Sequence, residues 1–246
     1  MDKYNNIIEK INKEFDTVSV IKKSEKGSVS IVREKKTGKR FVFRKFSGKS
    51  DVYKEMMSVS CKNLPKIKAV QEFSSSTFVL EEYIYGDTLF ELLKGDVLSE
   101  KETVAVAVQI CDALEVIHGI GAVHRDIKPE NIILHGSEAV LIDFDASRIV
   151  DPDKSTDTRI LGTMGYAAPE QYGLSQTDAR SDIYSLGVVL NVMLTGEHPS
   201  TKLAEGKIGD IVQKCTMINP EMRYQTAREV KDELLEIKEK YNLRIT

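Results

Sequence analysis

Between Thr17 and Phe46 apolar and polar residues alternate with a period of two. The runs Thr17–Lys22, Ser28–Arg33 and Arg40–Phe46 each predict a strand whose successive side chains face opposite ways, and Thr37-Gly38-Lys39 supplies a turn. Residues 1 to about 84 are therefore expected to form a small, mainly antiparallel sheet with basic turns. After Asp87 the pattern becomes helical. Ser99-Glu100-Lys101-Glu102 has capping-box spacing, in which a serine hydroxyl and a glutamate three residues on each satisfy a backbone N–H at a helix start; it opens an apolar segment reaching His118. Thr226-Ala227-Arg228-Glu229 repeats that spacing before the last segment. The stretches Val104–Ile117 and Ile183–Leu194 are apolar on nearly every face, which places them inside a helical body. The junction between the two regions falls at Tyr83–Asp87.

Composition narrows the class. The 246 residues are 41% apolar and 30% charged, ordinary for a globular protein, and the net charge of -3 argues against a nucleic-acid binder that works by neutralising phosphates. Cys61, Cys111 and Cys215 lie far apart with no CxxC pair, so neither a zinc site nor a disulfide framework is indicated; reduced, buried thiols are expected. The first fifteen residues mix charged and apolar types, unlike a secretory signal. The longest apolar stretch, Ile183–Leu194, is too short to span a bilayer. No membrane contact by this segment is expected, and the chain reads as cytoplasmic, alone or as the cytosolic part of a longer protein.

Three motifs carry the chemistry: His124-Arg125-Asp126-Ile127-Lys128-Pro129-Glu130-Asn131, then Asp143-Phe144, then Ala168-Pro169-Glu170. The apolar run Ala139–Ile142 predicts a buried strand that delivers the Asp143 carboxylate. In the segment Phe41–Lys45, alternation puts Val42 and Arg44 on one face and Phe43 and Lys45 on the other.

In order and spacing these motifs resemble the protein kinase family, in particular its bacterial Ser/Thr members, over roughly residues 16 to 240. The resemblance implies one α+β kinase domain over residues 1–246. That domain would have a two-lobed protein kinase fold, with a small antiparallel β-sheet N-lobe (1–84) and a larger helical C-lobe (85–246), and would be expected to hold ATP and Mg2+ between the lobes. It implies transfer of the ATP γ-phosphate to a Ser or Thr hydroxyl of a protein substrate. Asp126 would orient that hydroxyl, Lys128 would steady the transferring phosphate, and Asn131 and Asp143 would be the magnesium ligands. Arg44 takes the position of the family's phosphate-binding lysine, with Glu55 the expected carboxylate partner. Gly27, the one glycine kept from the phosphate loop aligned over Glu25–Val32, would approach the nucleotide. Val32, Val42 and Ile133 would enclose adenine, Glu81 would stand at the back of its pocket, and Glu82 and Ile84 would lie on the connecting segment.

Several positions depart from the pattern. Arg44 replaces lysine, Glu25 and Ser30 replace glycines, and Asp145 replaces a glycine whose left-handed backbone an aspartate adopts only at a cost. An enzyme of weakened activity and a pseudokinase acting as a nucleotide-binding scaffold or allosteric regulator both fit. Further expectations are an activation segment with hydroxyls Ser155, Thr156 and Thr158, Thr163 in the substrate loop, a Glu170–Arg223 pair and Asp182 anchoring the catalytic loop. Between His198 and Gly206 little room remains for the family's substrate-docking helix.

Overall fold

A computed structural model describes residues 9, 11–25, 27–73, 75–150, 163–173 and 176–240. The chain divides into two units, one comprising Met1–Ser60 and Pro65–Ile84, the other Cys61–Leu64 and Tyr85–Thr246.

The first unit is a five-stranded antiparallel sheet in the order β1-β2-β3-β5-β4, built from β1 (Phe15–Ser24), β2 (Gly27–Glu34), β3 (Arg40–Ser47), β4 (Ile67–Glu72) and β5 (Ser76–Glu82). β1 is an edge strand, exposed along nearly its whole length, and its pairing with β2 is broken by register shifts that disrupt the edge ladder. The period-two alternation of β3 is visible in its contacts. Phe43 stacks on Phe78 of β5, ring centroids 5.7 Å apart, on one face; Arg44 is buried on the other. A short helix, α1 (Asp51–Met56), turns Val52, Tyr53 and Met56 inward and is tied to β4 by a 2.6 Å ion pair from Lys54 to Glu72.

The second unit is mainly helical. Its elements include β6 (Asp87–Thr88), α2 (Leu89–Leu93), α3 (Glu100–Gly119), β7 (Ala122–Val123), β8 (Ile132–His135), β9 (Glu138–Leu141), β10 (Arg148–Ile149), α4 (Ala179–Thr195), α5 (Gly206–Cys215) and α6 (Ala227–Lys240). The capping box opens α3 as the spacing predicts: Glu102 N donates to the Ser99 hydroxyl, and Ser99 N donates to Glu102 Oε2 at 2.9 Å. α4 starts at the Asp178 cap and stops at Gly196, whose φ of 73° is the left-handed conformation that ends helices. α3 packs against α4 and α6, and α4 also packs against α5, so the two most apolar segments of the chain form the core.

Residues Cys61–Leu64 join this second unit although they lie inside the sequence of the first. The cause is Asn63, fully buried, whose amide donates to Gln109 Oε1 and to the Ala139 carbonyl at 3.0 and 2.7 Å. Among the described residues no helix lies between α4 and α5. That short segment is instead fixed by Asn191, which donates to the carbonyls of Glu197 and Lys202 and accepts from Ala204 N, each at 2.8 Å. Cys111 and Cys215 are buried, and burial pushes the Cys215 thiol up to about 12, so it stays protonated and inert. Among the described residues no helix is long and apolar enough to cross a membrane.

Candidate active site

The loop between β7 and β8 carries His124 to Asn131, and Asp182 near the start of α4 sets its backbone. With its side chain fully buried, Asp182 accepts from the backbone N–H groups of His124 and Arg125, both at 2.8 Å, and contacts His118 Nε2 at 2.9 Å. Held this way, Arg125 takes a φ of 70°, a left-handed backbone that a non-glycine residue adopts at a cost of about 1–3 kcal/mol. Two buried N–H bonds to a carboxylate offset much of that cost. His124 is buried and packs edge-on against Phe144, centroids 4.9 Å apart. Burial holds its imidazole below the usual range and therefore neutral; Nε2 donates to the Ile142 carbonyl while Nδ1 accepts from Asp126 N.

Asp126 stands at the centre of a hydrogen-bonded cluster. Its Oδ1 accepts from the Thr163 hydroxyl at 2.7 Å, and its Oδ2 accepts from Lys128 Nζ at 2.9 Å and from Asn131 Nδ2 at 3.0 Å. Lys128 Nζ also donates to Thr163 Oγ1 at 2.7 Å. Burial alone would raise the Asp126 carboxyl, but the bonds from Thr163 and Lys128 outweigh it and hold the group below its ordinary value. The carboxylate is therefore ionised at neutral pH.

The Asn131 amide nitrogen is directed to the Asp126 carbonyl and carboxylate, which fixes its orientation. The Asn131 carbonyl accepts from Ile142 N at 2.9 Å, so the residue immediately before Asp143 is bonded to the catalytic loop. Asp143 has a φ of 68°. An amide and a carboxylate are hard oxygen donors of the kind Mg2+ takes, an ion that uses few protein ligands and completes its shell with water and other oxygens. The strain expected at Asp145 is absent: among the described non-glycine residues only Arg125 and Asp143 have positive φ, and Asp145 is exposed. The left-handed residue is Asp143, two positions before the one expected.

The ion pair expected between Glu170 and Arg223 is formed. Glu170 and Arg223 meet in a bidentate pair at 2.7 and 3.0 Å, and Ser181 adds a third bond to the carboxylate. Gln171 was not anticipated. It donates to the Arg125 carbonyl at 2.8 Å and so ties the Ala168–Glu170 motif to the catalytic loop, a contact for which the sequence carries no local signal. Ser155, Thr156 and Thr158 lie outside the described residues.

The sheet unit corrects three expectations. Glu55 is exposed on α1, and Arg44 Nε donates instead to Glu81 Oε1 of β5 at 2.9 Å, with both side chains buried. The cause is register: Arg44 is opposite Val79 and Glu81 is opposite Val42, which makes Arg44 and Glu81 diagonal neighbours on one face. Gly27 is a strand residue, not part of a loop, and a Cβ there would meet the Lys45 carbonyl at 2.1 Å; close approach of β2 to β3 already demands glycine. Strand pairing also runs as far as Ser24 opposite Gly27, so the part of the expected phosphate loop from Gly27 to Val32 is strand. Val32 is buried and Val42 half-buried, whereas Glu82 is exposed and accepts from Lys66 N at 3.1 Å. Ile84 ends the first unit, half-buried, and Ile133 lies half-buried on β8 of the second.

An ionised aspartate within a lysine, asparagine and threonine cluster, on a loop pinned by a buried aspartate, defines the catalytic loop of a protein kinase. The protein kinase domain model matches residues 15–241, and the chain belongs to that family. It is 32% identical over 218 residues to the serine/threonine-protein kinase PknB of Mycobacterium leprae, covering 75% of this chain and 35% of that protein. It is 27% identical over 245 residues to the "Probable serine/threonine-protein kinase CPE1738" of Clostridium perfringens, covering 89% of this chain and 35% of that protein. The chain thus spans about a third of the length of these relatives.

Proposed function

We propose that this chain is one kinase domain that transfers the γ-phosphate of ATP to a Ser or Thr hydroxyl of a protein substrate, on the cytosolic side of any longer protein to which it belongs. The observation that carries this reading is the Asp126 cluster, an ionised carboxylate bonded to Lys128 at 2.9 Å and to a threonine hydroxyl at 2.7 Å. Asp126 orients the substrate hydroxyl and accepts its proton as the new O–P bond forms, while the bond from the γ-phosphorus to the β–γ bridging oxygen breaks and ADP leaves with that electron pair. Lys128 sets a positive charge beside the oxygens on which negative charge builds. Asn131 and Asp143 would hold magnesium, which when bound with the nucleotide neutralises its phosphates. In the sheet unit Val32 and Val42 would offer apolar surface to adenine, Glu82 and Ile84 backbone groups to its edge and Arg44 a cation to the phosphates; in the helical unit Ile133 would offer a further apolar side chain.

The rate is proposed to be low, because the wide planar guanidinium of Arg44 does not reproduce the geometry of a compact ammonium. A second reading, a pseudokinase that binds nucleotide and regulates a partner, is favoured by the same residue, since part of the Arg44 fork is engaged by Glu81. Calorimetry with ATP, with and without Mg2+, combined with phospho-amino-acid analysis after incubation with Mg·ATP and a generic protein substrate, separates the two. Magnesium-dependent binding with phosphoserine or phosphothreonine supports the enzyme; binding without incorporation selects the regulator; phosphotyrosine alone would contradict the Ser/Thr assignment.

A further inference from the structure

The charge opposite Arg44 comes from the sheet and not from the helix. Arg44 on β3 and Glu81 on β5 are diagonal neighbours on adjacent strands, joined at 2.9 Å, with Arg44 5% and Glu81 3% exposed. The one acidic residue in the second half of α1, Glu55, is exposed, and α1 is secured to the far strand of the sheet by Lys54–Glu72 at 2.6 Å, with Ser50 N also bonded to Glu72. Directly opposite the pair on the same face stand Val79 and Val42. A buried ion pair is a poor device for stability alone. Desolvating both charges offsets their attraction, and well-packed apolar residues of similar volume do as well or better. What such a pair does supply is a fixed direction for the guanidinium, whose planar fork must be oriented before it can meet a phosphate.

We propose that Glu81 is the positioning residue for Arg44 in nucleotide binding, replacing a carboxylate from α1. The inference rests on the reading of this chain as a nucleotide-binding kinase. Because the contact is set by the β3–β5 register, the direction of Arg44 is built into the sheet and does not depend on where α1 lies. A residue that acts through a phosphate-binding cation affects ligands with phosphates and spares those without. A residue that merely supports the fold affects both.

The test is calorimetry on the intact chain with two probes, Mg·ATP and adenosine, for wild type, Glu81→Gln, Glu81→Asp and Glu55→Gln. The expected result is a loss of ATP affinity of about tenfold or more in Glu81→Gln, a smaller loss in Glu81→Asp, adenosine affinity within about twofold of wild type in both, and no change in Glu55→Gln. Should Glu81→Gln leave Arg44 too poorly compensated to fold, Glu81→Asp keeps the charge and decides by the same criterion. The inference is overturned if ATP affinity survives the Glu81 substitutions, if adenosine affinity falls in parallel, or if Glu55→Gln weakens ATP as much. A wild-type chain that binds neither probe overturns the nucleotide-binding reading itself, and the inference with it, before any variant is compared.

Discussion

Hydrogen bonds from Thr163 and Lys128 lower the Asp126 carboxyl below its ordinary value. Since their hydrogen bonds hold the folded carboxyl below its ordinary value, the stability this group contributes is fully present above the unfolded pKa and is lost as pH falls through the lowered folded one. Thr163→Val removes one donor, so the folded pKa rises. The acid limb of the rate profile and the acid-unfolding midpoint should both move to higher pH, read by initial rates and by circular dichroism across the acid range; an unmoved limb would show that another group sets it. At Asp145 a null result is expected. The strained backbone belongs to Asp143 and Arg125, so Asp145→Gly relieves no strain, and a denaturant titration should show no gain in stability over wild type.

The strands and helices show which contacts can be read from one sequence. Gly27→Ala should lower stability by about 1–3 kcal/mol in a denaturant titration, because its Cβ collides with β3 backbone that cannot move without parting the ladder. That loss should occur whether or not nucleotide is present. Glu170→Ala strands the fully buried Arg223 charge and should cost about 3–5 kcal/mol by the same measurement. The start of α3, the faces of β3 and the Glu170–Arg223 pair were readable because each follows from local spacing or from a motif. The partner of Arg44 was not. It depends on how two strands 37 residues apart align, and spacing along β3 says nothing of what β5 places diagonally opposite. The outward turn of Glu55 and the membership of Asn63 in the helical unit were hidden for the same reason, as each is fixed by a partner distant in sequence.

For the molecule as a whole, ligand linkage offers a check that does not require catalysis. If Mg·ATP binds only the folded chain, a concentration of 100 times Kd should stabilise it by about 2.7 kcal/mol, and the melting temperature should fall back when EDTA removes the metal. Stabilisation that persists in EDTA would remove Asn131 and Asp143 from the account as metal ligands. The chain covers 35% of the length of PknB of Mycobacterium leprae, so its substrate is proposed only as far as the hydroxyl chemistry of its own site reaches. The most direct test of that chemistry is phosphate incorporation from Mg·ATP, followed by mass spectrometry, for wild type and Asp126→Ala at equal nucleotide saturation. The account predicts phosphate on serine or threonine at a rate at least about a hundredfold above that of the variant, which still binds ATP. Equal rates in the two, or no incorporation by wild type while it binds Mg·ATP, would contradict it.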